Sequence, residues 1–510
     1  MHFLLKKGIS MKRIASFLLA ALMVCSTFVA CTNDDKPATT TDGNVVTTAT
    51  PTTTQPAEDT PDLPDPSELD IAGEFNILVS GNMSVNDFES EDDEGTTVEI
   101  AIYRRNAMIN EKYGVEIVNE DVTKFGSAGG SGTGFTKIYT DYMAGESNYD
   151  AAMVGTYDVA TLAYSGYIHD LNDMEYLDLS KSYWDQKANK DLAINGKMFY
   201  TTGDISIVDN KFTHAILFNK DMVKDYELDN PYDLVRNNEW TLETFAGLVK
   251  QVGEDVNQDG IYDSNDRYGL LTWKDPMLAV LASAGEKICT INDSGKIELT
   301  FYNERVLNLY DQFTAIMFDQ QHAYDYQYDN VTGQQTATST WDTVRDTVFN
   351  ENRAVFYQTV VRTGERHRDA EVDFGFLPYP KMDASQEDYG HYVSAYHSEF
   401  VCVPETVENY ARTGIILEEL AYYGKQLLTP AYYEQTLIGQ TTRDEESAEM
   451  LDIIFASCVY DVGIYYNIGT YKEQLGNLHR TRQAISSLYE TYKTSAEQKI
   501  SSINTIFAQQ

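Results

Sequence analysis

Residues 255–266 read DVNQDGIYDSND, with oxygen-bearing side chains at the alternate positions 255, 257, 259, 263 and 265 around a glycine. That spacing belongs to loops that wrap a hard cation, because alternate carboxylates and amides supply the oxygens and glycine permits the sharp turn. Asp255, Asn257, Asp259, Asp263 and Asp266 offer side-chain oxygens, and Ile261 offers its carbonyl. Asp266 stands where the pattern usually carries Glu, one methylene longer, which reduces its reach to bind an ion with both oxygens. Aspartates packed this closely repel one another, which favours a cation among them. A calcium ion is expected here. The loop has neither a second hand nor a long exiting helix, so the ion is read as a structural brace.

No comparable signature for bond making follows. The chain lacks GxSxG, HExxH or any Cys–His spacing of a known nucleophile. The glycine-rich run 129–135 lacks a following GK[ST] and reads as a loop entering a helix. His391 and His397 have no partners at zinc-ligand spacing. Cys289, Cys402 and Cys458 are widely separated and read as buried thiols, with a disulfide between two of them left open. Tyrosine is in excess, 36 against 21 Phe and 4 Trp. Aromatic planes match the apolar faces of sugar rings, and carboxylates or amides match their hydroxyl rims. Acidic residues number 79 against 38 basic, a formal charge of −41, which argues against nucleic-acid partners.

Several elements must position these groups. Lys12 and Arg13 precede the apolar run Ile14–Val24, and small residues follow. This is the form of a secretory signal peptide over residues 1–30, with Met11 as an alternative start. The run is shorter than the roughly 20 apolar residues of a spanning helix. Phe28-Val29-Ala30-Cys31 resembles a bacterial lipobox, which implies lipidation of Cys31 and anchoring at the outer face of a bacterial cell membrane. Residues 31–73, dominated by Thr, Pro, Asp and Gly, are expected to form a disordered tether.

Beyond the tether, strands at 75–79, 115–118 and 149–155 alternate with helices at 96–113 and 137–144. A helix at 241–252 and a strand at 268–271 flank the acidic loop. Ile485, Leu488, Tyr492, Ala496, Ile500, Ile503 and Phe507 share one face of a C-terminal helix. This alternation predicts an α/β fold with mostly parallel strands, whose ligands sit beyond the strands' carboxyl ends.

The stretches NYDAAMVGTYDVATLAYSGYIHDLND and WDQKANKDLAINGKMFYTTGDIS resemble family 1 extracellular solute-binding proteins, the substrate-capturing subunits of ABC importers. So do Leu217-Phe218-Asn219-Lys220, Trp240-Thr241-Leu242-Glu243-Thr244-Phe245 and residues 373–380, in that order along the chain. The resemblance implies a two-lobe, type II periplasmic-binding-protein-like fold with an interlobe ligand cleft. Lobe one would hold 74–205 and 380–425, and lobe two 206–379 and 426–510. Crossings are expected near Gly203–Lys211, Leu377–Lys381 and Gly424–Thr429. The resemblance, with position along the chain, points to Tyr157, Asp204, Trp273, Tyr357, Tyr396 and Glu399 as ligand-binding residues, and gives Trp240 a packing role. The expected activity is non-catalytic capture of an oligosaccharide and its delivery, by a monomer, to the permease subunits. The rival readings are a membrane-anchored glycoside hydrolase using two carboxylates and a surface glycan-binding adhesin.

Overall fold

The computed structural model describes residues 59–81, 87–91, 93–122, 129–328, 334–437 and 445–510. The expected signal peptide, Cys31 and the expected tether up to residue 58 lie outside the described residues. Among the described residues no helix is long and apolar enough to cross a membrane.

Two α/β lobes carry the chain. In lobe one, four strands lie in the order Glu399–Cys402, Ala151–Gly155, Gly73–Ser80 and Val115–Asp121. The last three run parallel, linked through the helices Thr97–Tyr113 and Thr133–Ala144, and Glu399–Cys402 is antiparallel at the edge. Ala151–Gly155 is buried at every position, as a strand covered on both faces should be. The helix Thr97–Tyr113 starts in a capping box between Thr96 and Glu99 and stops at Gly114, whose φ of 67° places it in the left-handed region.

Lobe two is a mixed sheet. Its order is Phe374–Leu377, His214–Asn219, Ala354–Val360, Arg267–Thr272 and Gly253–Glu254, with Ala323–Asp325 also paired to Arg267–Thr272. Ala354–Val360 is parallel to Arg267–Thr272 and antiparallel to His214–Asn219.

Non-local pairing joins the lobes and corrects two of the three expected crossings. Around the first, Thr201 pairs with Val401 of lobe one, and Thr213, which precedes the lobe-two strand His214–Asn219, pairs with Val393. The second is not at Leu377–Lys381, since Lys381 still pairs with Thr241 of lobe two. The return is made at His391–Ser394, where Val393 pairs with Thr213 and His391–Tyr392 with Cys458–Val459. The third is not at Gly424–Thr429, because Gly424–Leu428 is a π-turn in a helical run packed on Thr97–Tyr113.

The C-terminal part is also shared between the lobes rather than confined to lobe two. Thr429–Leu437 packs on Thr97–Tyr113, while Glu445–Phe455 packs on Phe374–Leu377. The last helix, Ile485–Phe507, buries Ile485, Leu488, Ala496, Ile500, Ile503 and Phe507 against Ile297–Leu299 and Thr156–Ser165.

The expected tether ends earlier than residue 73. Ser182 N donates to Asp59 Oδ2 at 2.6 Å, Lys181 Nζ donates to the Thr60 carbonyl at 3.1 Å, and Ile71 is buried. Leu63 and Leu69 pack against the same core, so three apolar side chains suffice to dock a segment whose average composition reads as disordered. Cys289, Cys402 and Cys458 are free and buried.

Candidate functional site

Ligands of α/β sheets lie beyond the carboxyl ends of the parallel strands. In lobe one those ends gather Ser80–Gly81, Asp121 and Thr156–Tyr157, joined by Ser398–Glu399 because Glu399 pairs with Gly155. In lobe two they gather Trp273–Asp275, Tyr326–Gln327, Arg362 and Tyr379, with Phe212 and His214 at the start of an antiparallel strand.

Aromatic rings line the lobe-two edge. Tyr326 and Trp273 lie 6.2 Å apart at 24° between planes, and Trp273 and His214 lie 6.1 Å apart at 12°. Beyond His214 come Tyr392 at 5.2 Å and Tyr379 at 6.1 Å. Trp273 Nε1, both His214 nitrogens, Gln358 Nε2 and the Tyr379 hydroxyl are buried without a hydrogen-bond partner among the described residues. Such orphaned polar atoms are costly unless something pairs with them. Burial, reinforced by His397 and His391, pushes the His214 imidazole down to about 3, so it is neutral at ordinary pH.

Across from this row stands Tyr157, with Lys472 Nζ 3.2 Å from its ring centroid. Burial raises the Tyr157 phenol well above its ordinary value, helped by Tyr392, Asp275, Glu473 and Tyr396. Asp275 belongs to lobe two, so the two edges meet here. Behind Tyr157 lies a cavity of about 200 Å³ whose lining includes Tyr164, Asn467, Lys472 and Lys499. Glu399 is 1% exposed, and its Oε1 has no hydrogen-bond partner among the described residues. Its carboxyl fills the notch at Gly81, where an added Cβ would lie 1.3 Å from Oε1. Burial first, then Asp87 and Asp121, pushes that carboxyl well above the usual carboxylate range.

Of the residues expected from sequence, Tyr157, Trp273 and Glu399 reach the facing edges. Tyr396 sits nearby on an exposed loop, edge-on to His397 at 5.0 Å. Asp204 is a correction: its Oδ1 accepts from Thr429 Oγ1 at 2.5 Å, tying the first crossing to the helical run instead of facing the edges. Burial pushes the Asp204 carboxyl up to about 6. Tyr357 is a second correction. It lies in the middle of its strand, not at its end, and is fully buried between Phe349 at 5.5 Å and His367 at 6.2 Å.

Sequence reading missed His214, Lys274, Asp275, Tyr326, Arg362, Tyr379, Tyr392 and Lys472. The strand-end rule, applied to Val360 instead of Tyr357, would have found Arg362. No local signal marks Lys472, which arrives from the C-terminal part.

Trp240 packs as expected, buried beside Phe245 and Phe356, with Nε1 donating to the Pro378 carbonyl at 2.8 Å. His391 Nε2 accepts from Tyr379 N at 3.0 Å, and Nδ1 lies 2.7 Å from Ser457 Oγ, so this ring braces the crossing.

The acidic loop turns at Gly260, whose φ is 80°. Its oxygens engage the loop's own amides. Asp255 Oδ2 accepts from Gly260 N at 2.8 Å, and Asp259 Oδ1 from Ile261 N at 2.8 Å. Asp263 Oδ1 accepts from Asn265 N at 2.7 Å. Asp266, fully buried, accepts from Val256 N and Asp263 N, both at 2.9 Å. Among the described residues, no three acidic, His or Cys side chains converge as a metal-holding group. The donor set is thus braced by amides.

Two facing lobe edges, rich in aromatic rings and orphaned donors, define a binding protein of the two-lobe class. The sequence profile of the bacterial extracellular solute-binding proteins matches residues 94–397, more than half of the chain, and the chain belongs to that family. No curated protein sequence matches it. Among solved structures, the maltose/maltodextrin-binding domain from Bdellovibrio bacteriovorus, bound to maltotriose, aligns with a TM-score of 0.52. It is 13% identical, with 84% of this chain and 100% of that one covered. The galacto-N-biose/lacto-N-biose I-binding protein of a Bifidobacterium longum ABC transporter aligns at 0.52 and 11% identity over 85% and 98%. An ABC substrate-binding protein from Listeria monocytogenes in complex with cycloalternan aligns at 0.50 and 13% identity over 85% and 99%. At these identities the likeness is one of fold.

Proposed function

We propose that this protein captures an oligosaccharide outside the cell and delivers it, chemically unaltered, to the permease of an ABC importer. The observation that carries the reading is the row Tyr326–Trp273–His214 at the lobe-two strand ends, with its orphaned donors; Tyr157 and Glu399 stand at the strand ends of lobe one. Aromatic faces take the C–H faces of sugar rings, and buried donors and acceptors take their hydroxyls. The three structures above hold maltotriose, lacto-N-biose and cycloalternan, which supports the same class of ligand. Binding that engages both edges favours the closed arrangement of the lobes, which turn about the paired crossings.

Attachment to the membrane through Cys31 and a monomeric state belong to this reading. So does a structural calcium ion at 255–266, supported by the alternate oxygen spacing and the left-handed Gly260. Binding would require side chains to turn from the loop amides onto the ion.

A thermal-shift screen over oligosaccharides, followed by calorimetry on those that stabilise, tests the reading. Incubation with labelled oligosaccharides accompanies it. A receptor returns them intact, whereas shorter products would point to the hydrolase. A chain that no small molecule stabilises would be an adhesin.

A further inference from the structure

We propose that the solute carries an anionic group, a carboxylate or sulfate on a sugar, which docks on Arg362 and Lys274 of lobe two. The inference rests on the saccharide-binding reading above and narrows it.

The chain has twice as many acidic as basic residues, yet the lobe-two edge runs the other way. Arg345 is paired there with Asp342 and Asp346, whereas Lys274 and Arg362 stand near Asp275 and Asp325 with no ion pair among the described residues. Asp325 is turned away, accepting from Gln327 N at 2.9 Å, and burial pushes its carboxyl up to about 7. Asp275 is likewise raised by burial, against the pull of Lys274 and Lys472. The acids at this edge therefore resist ionisation, whereas an arginine stays charged.

Arg345 is already neutralised, 2.5 Å from Asp342 and 3.7 Å from Asp346. Arg362 is not. It is half-buried, its guanidinium rests 5.6 Å from the Phe212 ring centroid, and its side chain makes no hydrogen bond or ion pair among the described residues. Phe212 is in turn stacked on His397 at 4.9 Å, which holds this seat rigid. A guanidinium presents five donors in a fork that fits a carboxylate or sulfate, and leaving them all unused in a half-buried place is costly. Lys274 is exposed and also lacks an ion pair among the described residues. Its backbone N donates to Gln327 Oε1 at 3.3 Å, which anchors the turn after Trp273.

Through Phe212, Arg362 also lies close to His397. After burial, Arg362, Arg345 and Lys274 are what hold the His397 imidazole down, at about 4. A sugar ring stacked on Trp273, whose neighbour in sequence is Lys274, would thus place a ring substituent near unneutralised positive charge.

The test is calorimetry on the full chain with a uronate-containing oligosaccharide, a sulfated one and a neutral one of equal length, each at low and high salt. We expect one anionic sugar to bind about tenfold or more tighter than the neutral one and to weaken as salt rises. The two anionic arms separate carboxylate from sulfate. Arg362→Gln should bring anionic affinity down to the neutral level, with an unchanged melting temperature showing that it folds. Lys274→Gln, at an exposed position, should lose part of the same preference. Neutral sugars binding as tightly as anionic ones, with no salt effect, would overturn the inference and leave the saccharide reading standing. Binding of neither kind overturns both.

Discussion

The indole of Trp273 lies nearly parallel to the imidazole of His214, 6.1 Å away, although the strands that carry them are separated by Ala354–Val360. His214 is held neutral by burial, so it supports the indole as a flat apolar neighbour. Trp273→Ala should weaken binding of the best oligosaccharide by about 1–3 kcal/mol, roughly 5- to 150-fold. Calorimetry reads this directly, and unchanged affinity would remove Trp273 from the site.

Tyr357 should behave in the opposite way. Its ring is enclosed by Phe349 and His367 with no exposed surface. Tyr357→Ala should cost about 3–5 kcal/mol of folding stability. Urea denaturation measures it. A stable variant with lost solute affinity would return Tyr357 to the ligand.

Asp266 should prove the keystone of the acidic loop. Its two oxygens accept from Val256 N and Asp263 N inside the protein, so Asp266→Ala strands two donors. A loss of about 2–4 kcal/mol follows. If calcium occupies the loop, a chelator lowers the melting temperature of the parent chain and no longer does so in the variant. No response in the parent would leave the loop braced by its amides alone.

Asp209 makes the crossing sensitive to pH. Burial, then Asp185, pushes its carboxyl up to about 8, while its oxygens accept from Asn210 N and Thr202 Oγ1. A carboxyl raised on folding leaves the native chain holding the extra proton. Stability therefore falls as pH climbs from about 4, the ordinary value, through 8, and is regained on acidification. Asp209→Asn removes the penalty, so its gain in melting temperature should be larger at pH 8 than at pH 5. An equal gain at both would mean that Asp209 ionises normally.

Much of this protein was legible from its residues alone. The helix 97–113 is legible in its apolar spacing and the strand 151–155 in its apolar run, because periodicity is local. The strand-end rule pointed to Tyr157 and Trp273, since each directly follows a readable strand. It failed at Tyr357 because the strand continues to Val360, which the run Ala354-Val355-Phe356 does not show by itself.

By itself, then, the sequence determined an alternating α/β chain, the order of its elements and the family they spell, since each depends on neighbours a few residues apart. Tertiary structure alone decided which segments cross between the lobes and which charges meet. Thr213 finds Val393, and Cys458–Val459 finds His391–Tyr392, through pairings between residues far apart in the chain. Arg362, Lys274 and Lys472 gather at the lobe edges for the same reason: proximity across a fold is set by packing, and no local pattern carries it.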